Sequence, residues 1–306
     1  MSKLLLCSMT VPWPSRPTQG LYHLDQAVAL KSSGFDTSIL SPAPAGTSII
    51  SKYSRWAERH ADRPEHYWVR GIELLMPRAP FVFPNRVRQQ LVPAIPSVVG
   101  GFCSIGLRRV LNRAIHEKAS DAVLVHGMFP WGSPAASISK RQGVPVGVIE
   151  HSAGDIMRLR RGTPLGRYYA KLASRVDTVF VVNRRMKRHL EEELGLDNVV
   201  LALNGVDLET DGRTHRPRPS RFKGKTLILS AANYYRRKGF EELIKASAPL
   251  LKKRSDIVLC IITDAPESLC QLPVELGIED QVEIRPKCDR RTLMQWMAWA
   301  DLFAMP

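Results

Sequence analysis

Three features of the chain predict an α/β protein made of two doubly wound, Rossmann-like domains facing a cleft. Short apolar runs of strand length alternate with amphipathic helical segments from the first residues onward. The rhythm breaks over residues 209–224, where Gly212, Pro217, Pro219 and Gly224 sit among charges with few apolar residues. It restarts with Thr226–Leu250, TLILSAANYYRRKGFEELIKASAPL, which reads as strand, basic turn and helix. Residues 1–208 are expected as an N-terminal domain, 209–224 as a linker and 225–306 as a partial C-terminal domain. A chain of 306 residues is long for one core and comfortable for two.

The elements follow in order. Lys3–Ser8 is an apolar strand, and Met9–Gly20 is a loop carrying Pro12, Pro14 and Pro17. Leu21–Ser33 places Leu24, Ala27, Val28 and Leu30 on one side and stops at Gly34, so it reads as a helix. Thr37–Leu40 is the next strand, and this β-loop-α-β start opens a doubly wound domain. Ala43–Arg70 reads as irregular, with Tyr53, Trp56, Tyr67 and Trp68 among charges. Gly71–Met76 reads as a strand, and Pro77–Pro96 as a proline-rich loop and helix start. Then come helix Ser97–Ala119, strand Asp121–His126, helix Pro134–Gln142 and strand Pro145–His151. Helix Leu165–Ser174, strand Asp177–Val182, helix Arg184–Leu194 and strand Asn198–Leu203 complete the first domain. In the second, Phe240, Leu243, Ile244, Ala248 and Leu251 fall close to a 3.6 period after strand Thr226–Ala231. Strand Ile257–Thr263, helix Pro266–Leu276, strand Gln281–Arg285, helix Thr292–Trp299 and strand Leu302–Ala304 follow.

The composition bounds the function. The five cysteines show no C-x-x-C pair and no metal-ligand spacing, and Cys7 and Cys260 lie in apolar runs, as reduced core thiols do. Leu4–Cys7 is too short for the apolar part of a secretory signal, and no apolar run reaches the roughly 18 residues of a membrane span. A reducing, cytoplasmic setting is expected, with peripheral contact to the inner face of a membrane also compatible. The net charge of +15 is clustered at Arg86 and Arg88, at Arg108, Arg109 and Arg113, at Arg158, Arg160 and Arg161, and at Arg184, Arg185, Lys187 and Arg188. An anionic membrane surface, an anionic substrate, nucleic acid or a merely basic surface would each fit. No nucleic-acid module accompanies the charge, which disfavours a polynucleotide partner.

The basic turn Arg236-Arg237-Lys238 precedes the helix that opens at Gly239. A helix N-terminus offers free backbone N–H groups and positive dipole potential, which suits a phosphate. An ordinary β–α unit with solvated cations has the same pattern.

Five motifs in order resemble the retaining glycosyltransferases of family 4, which have the GT-B fold. They are Gly20 opening the first helix, the strand Gly143–His151 (GVPVGVIEH), Asn204-Gly205-Val206-Asp207, Arg237–Ala246 (RKGFEELIKA) with the later turn Thr263-Asp264-Ala265-Pro266, and Ala300–Pro306 (ADLFAMP). The resemblance implies a nucleotide-sugar donor, a glycan or lipid-linked acceptor, retention at the transferred sugar, and no metal or other cofactor. It implies Lys238 as the main ligand of the donor diphosphate, with backbone N–H groups at Gly20 capping the same group. It implies His151 as the residue facing the transferred sugar. Asp155 is a further candidate for a sugar or acceptor contact.

Two departures accompany the resemblance. The family's arginine about six residues before the lysine is here Ala232, so Arg236 or Arg237 is expected to serve the phosphate instead. The chain also stops at Pro306, where the family continues to a glutamate pair spaced E-x7-E. Two functional classes follow. One is a glycosyltransferase in polysaccharide or glycolipid assembly. The other is a truncated, non-catalytic basic domain that binds a membrane surface or an anionic glycan.

Overall fold

The computed structural model describes residues 1–45, 60–80, 92–205 and 217–306. Tyr53, Trp56, Arg86, Arg88, Val206, Asp207 and residues 209–216 lie outside the described residues. The chain divides into two compact units, Met1–Asn204 and Gly205–Pro306.

In the first unit the strands are β1 (Lys3–Cys7), β2 (Asp36–Leu40), β3 (Ala43–Pro44), β4 (His66–Val69), β5 (Ile72–Leu75), β6 (Arg78–Ala79), β7 (Ala122–His126), β8 (Val146–Glu150), β9 (Thr178–Val181) and β10 (Val199–Leu201). The helices are α1 (Leu21–Ser32), α2 (Pro96–Lys118), α3 (Met128–Gln142), α4 (Ala153–Ile156), α5 (Pro164–Ala173) and α6 (Arg184–Leu194). Eight strands form one sheet in the order β10-β9-β8-β7-β1-β2-β5-β4, and every pair but β4–β5 is parallel. The two faces are buried separately. Leu5 and Cys7 face a core with Leu107, Leu111, Trp131, Tyr169 and Leu190 from α2, α3, α5 and α6. The alternate residue Leu6 faces Leu24 and Ala27 of α1 and Trp13 of the following loop. Burial on both faces explains why these strands read as unbroken apolar runs.

Ala43–Arg70, expected as irregular, contains β3 and β4. Tyr67 and Val69 pack toward the α1 side of the sheet, while Trp68 between them stays exposed. The β4–β5 hairpin closes through Arg70 and Gly71, both at positive φ, the turn that matches strand twist. Helix α3 begins six residues earlier than expected, with Phe129 locally non-helical near its start.

In the second unit, β11 (Thr226–Ala231), β12 (Ile257–Thr263), β13 (Val282–Pro286) and β14 (Leu302–Phe303) form a parallel sheet in the order β13-β12-β11-β14. Its helices are α7 (Phe240–Leu251), α8 (Gln271–Leu276) and α9 (Arg290–Trp299). Phe240, Ile244, Ala248 and Leu251 bury against Ile257, Leu259 and Ile261 on one face, as the 3.6 period predicts. Phe222 and Trp296 cover Leu227, Leu229 and Cys260 on the other. Phe222 thus anchors a stretch expected as linker into the second core. The expected helix Pro266–Leu276 is two pieces, a 3-10 turn Pro266–Ser268 and α8. Pro273 has no N–H to give, so the helix starts where that proline falls in its first turn.

Candidate functional site

The strand order reverses between β1 and β7, since the chain adds β2 and β5 on one side of β1 and then β7 and β8 on the other. Loops at the carboxyl ends of such strands part there, and a crevice opens. A cavity of about 960 Å³ occupies this place within the first unit. Ser8, Met9 and Thr10 after β1, His126 at the end of β7, and Glu150, His151 and Ser152 at the end of β8 line it. The loop preceding α1 and the helix itself add Arg16, Gln19, Tyr22 and His23.

Three imidazoles meet in the cavity. His126 and His151 stack with ring centroids 5.2 Å apart and planes 7° apart, and His126 Nδ1 lies 3.0 Å from His151 Nε2. His23 stands edge-on to His126 at 4.0 Å. Burial pushes His23 down to about 3, with the His151 charge adding to it. Burial pushes His126 down to about 2, with His23 and His151 adding to it. Burial also lowers His151, against a hydrogen bond that the ring donates to the Asn204 side chain and that favours its charged form. All three rings are therefore neutral near pH 7, and each can donate or accept one hydrogen bond per nitrogen according to tautomer. His23 Nδ1 and His126 Nε2 are buried without a partner.

Beneath them lies Glu150, 7% exposed. Its Oε1 accepts from the Met128 N–H at 2.7 Å and the Tyr169 hydroxyl at 3.2 Å. Burial outweighs these bonds and pushes the carboxyl up to about 7, with Asp155 contributing. Ser152 caps α4 through the Asp155 N–H, and the Asp155 side chain is exposed on the cavity wall.

His23, His126 and His151 offer one ligand atom each, all within 4.8 Å of one another, so this cluster is the place among the described residues where a metal ion could be held. The hydrogen bond between His126 and His151 pairs two of the rings without a cation.

Gly20 stands at the N-cap of α1 with φ +63°. A Cβ there would lie 2.4 Å from the Thr10 carbonyl oxygen. Glycine is thus required where the loop after β1 folds back on the helix start, and that contact sets Gln19, Tyr22 and His23 into the cavity wall.

In the second unit, Arg236–Lys238 form a 3-10 turn before Gly239, the left-handed N-cap of α7, which has no side-chain cap. Arg236 and Arg237 are exposed and Lys238 is half-buried. None of the three makes a salt bridge among the described residues. Arg237 lies over the Tyr235 ring at 5.5 Å. The α7 first turn carries Glu241 and Glu242, and Glu241 accepts from the Tyr234 hydroxyl at 2.9 Å. Asp264 accepts from the Tyr234 N–H at 2.6 Å, so the Asp264 turn braces the loop that presents the cations. Ala232 packs against the core of this unit.

His151 and Asp155 therefore share one cavity, Gly20 shapes its wall, and Lys238, Arg236 and Arg237 form a separate cationic turn in the second unit. His23, His126, Glu150, Tyr169 and Asn204 were not singled out from sequence as functional residues. Two of them carried a usable signal, because a polar residue ending an apolar strand run, as His126 and Glu150 do, is a candidate for the crevice above the sheet.

The chain matches the model of Glycosyltransferase Family 4 over residues 20–210 and that of Glycosyl transferases group 1 over residues 211–306. A Bacillus subtilis (strain 168) protein assigned to teichuronic acid biosynthesis, the glycosyltransferase TuaC, is 22% identical over 206 residues, covering 67% of this chain and 50% of its own length. D-inositol 3-phosphate glycosyltransferase 1 of Catenulispora acidiphila is 25% identical over 239 residues, covering 70% of this chain and 55% of its own. The chain spans about half the length of the curated relatives it matches. The E. coli trehalose-6-phosphate structure bound with UDP-2-fluoro glucose superposes with a TM-score of 0.68 at 13% identity, over 99% of this chain and 78% of that one. At that identity the likeness shows the fold, and the fold is of the GT-B type. Since the first of the two models alone spans more than half of the residues, the chain belongs to glycosyltransferase family 4.

Proposed function

We propose that the protein transfers a sugar from a nucleotide-sugar donor to a glycan or lipid-linked acceptor, with retention and without a divalent metal. The observation that carries this reading is the turn Arg236–Lys238, three cations that make no salt bridge among the described residues, at an uncapped helix start. A leaving diphosphate gathers negative charge, and without a metal ion that charge must meet side-chain cations and helix N-terminal N–H groups. Lys238, the most enclosed of the three, is assigned the diphosphate. Arg236 or Arg237 takes the part of the arginine that Ala232 replaces.

His151 is assigned the transferred sugar, where a neutral imidazole hydrogen-bonds hydroxyls, and Asp155 a sugar or acceptor hydroxyl. The backbone N–H groups at Gly20 are assigned a second contact to the diphosphate. Arg184, Arg185 and Arg188 are exposed on α6 opposite its buried Met186, Leu190 and Leu194, which supports contact with an anionic membrane surface. No helix among the described residues is long and apolar enough to cross a membrane.

The test is to titrate a panel of nucleotide sugars, with EDTA present, and to assay transfer to lipid-linked and glycan acceptors. The expected outcome is selective binding of one nucleotide sugar and a product of unchanged anomeric configuration. Absence of binding across the panel, or binding that requires a divalent ion, would overturn the reading.

A further inference from the structure

Arg63 is 2% exposed. Its Nη2 donates to the Ser41 carbonyl at 2.9 Å and to the Ser41 hydroxyl at 2.6 Å, and its Nε points at the Met76 sulfur at 3.1 Å. The guanidinium carbon lies 4.9 Å from the Trp13 ring. Those contacts lock the side chain in one orientation. None of them supplies a negative charge, and Nη1 makes no hydrogen bond among the described residues. The charged neighbour that acts on it is Arg78, of the same sign, whose guanidinium donates to the Arg63 carbonyl at 2.8 Å. Burial and the Arg78 charge together push Arg63 down to about 10. A buried guanidinium with no anion is an unfavourable arrangement unless something brings the counter-charge.

Arg63 is also part of the wall of the 960 Å³ cavity, together with Arg16 and Arg158. Neither Arg16 nor Arg158 makes a salt bridge among the described residues. Against these three cations the described wall sets Asp155, exposed at the rim, and Glu150, whose own charge burial opposes. Among the described residues the cavity is therefore positive in balance, and Arg63 is the buried, fixed cation of its wall. A guanidinium held in one orientation in a partly dry site, with the hydrogens of Nη1 uncommitted among the described residues, suits an oxyanion, which it can meet through charge-assisted hydrogen bonds from that nitrogen.

We propose that this cavity binds an acceptor bearing a phosphate or carboxylate group, and that Arg63 is the buried counter-charge that selects it. The proposal rests on reading the cavity as the acceptor side of a glycosyltransferase, and it assigns that acceptor a chemical class. Arg16 and Arg158 draw the anion in from the rim, while Arg63 discriminates against neutral sugars.

The experiment compares glucose 6-phosphate, glucuronate and neutral glucose as probes of the whole chain at fixed ionic strength set with sodium chloride. Binding is read by calorimetry and by the shift in melting temperature. The expected result is that at least one anionic sugar binds ten times more tightly than glucose, and the better of the two names the anion. Arg63→Lys, which keeps a charge, and Arg63→Met, which keeps the bulk, should each reduce that preference, Arg63→Met to near unity. Equal binding of all three sugars by the wild type would overturn the proposal whether or not the variants fold, and so would an anion preference retained in a folded Arg63→Met protein. Nucleotide-sugar binding is measured on the same samples. If it persists while the anion preference is absent, the acceptor class is wrong and the transferase reading stands.

Discussion

His126 Nδ1 and His151 Nε2 lie 3.0 Å apart across two nearly parallel rings, one ending β7 and the other just past the end of β8. This pair fixes the orientation of His151 in the cavity, with the Asn204 side chain bonding His151 as well. A sugar hydroxyl reaching His151 would meet a ring already held in place rather than one free to rotate.

His151→Ala is therefore expected to slow transfer at least tenfold, a loss of about 1.4 kcal/mol at the transition state, while nucleotide diphosphate affinity changes by less than about twofold. Steady-state kcat and the Kd for the nucleotide, measured on the same preparation, check this. A tenfold loss of nucleotide affinity, or a protein that no longer folds, would assign His151 a structural role.

Lys238→Ala should do the reverse. A charge-assisted contact to a phosphate contributes about 1.5–3 kcal/mol, so nucleotide diphosphate affinity should drop by about 10- to 100-fold with the fold intact. Calorimetric titration of the nucleoside diphosphate and a far-ultraviolet spectrum read the two quantities. Unchanged affinity removes Lys238 from the donor site.

Gly20→Ala is expected to destabilise the first unit. The backbone there is left-handed, which costs a non-glycine residue roughly 1–2 kcal/mol, and the new methyl would press on the Thr10 carbonyl. A fall in melting temperature of at least about 2 °C is the expected size for a unit of this length. A melt indistinguishable from wild type would show that the loop after β1 can yield.

Stability of the first unit should depend on pH through two opposed effects. His23 and His126 have folded pKa values pushed down to about 3 and about 2, so the stability they contribute is present above their unfolded value of 6.5 and is lost as pH falls below it. Glu150 is pushed up from 4.5 to about 7, so its cost is absent below about 4.5 and grows as pH rises toward 7, reaching at most about 3 kcal/mol. Between pH 4.5 and 6.5 two histidines outweigh one glutamate, and stability should rise with pH. Glu150→Gln, which keeps an oxygen for the Met128 N–H, should gain stability over wild type at pH 8 and none at pH 4. His126→Asn should flatten the acid limb. Denaturant midpoints from pH 4 to 8 provide the test, and parallel profiles for the three proteins would refute the assignment.

Much of the fold was legible because its cause is local. The runs Leu4–Cys7, Leu227–Ala231 and Ile257–Thr263 are apolar because both faces of their strands are covered, and the stripe Phe240, Ile244, Ala248 and Leu251 follows from helical period alone. Local chemistry likewise marked Lys238 before Gly239 and His151 after an apolar run. Only the tertiary structure placed His126 against His151 and His23, because residues 23, 126 and 151 meet through the order β8-β7-β1 and the seat of α1, which no spacing in the chain encodes. The charges of Glu150 and Arg63 were decided the same way. A glutamate and an arginine read as surface residues in a sequence, and burial by elements far along the chain is what shifts the first toward its neutral form and leaves the second without a counter-ion among the described residues.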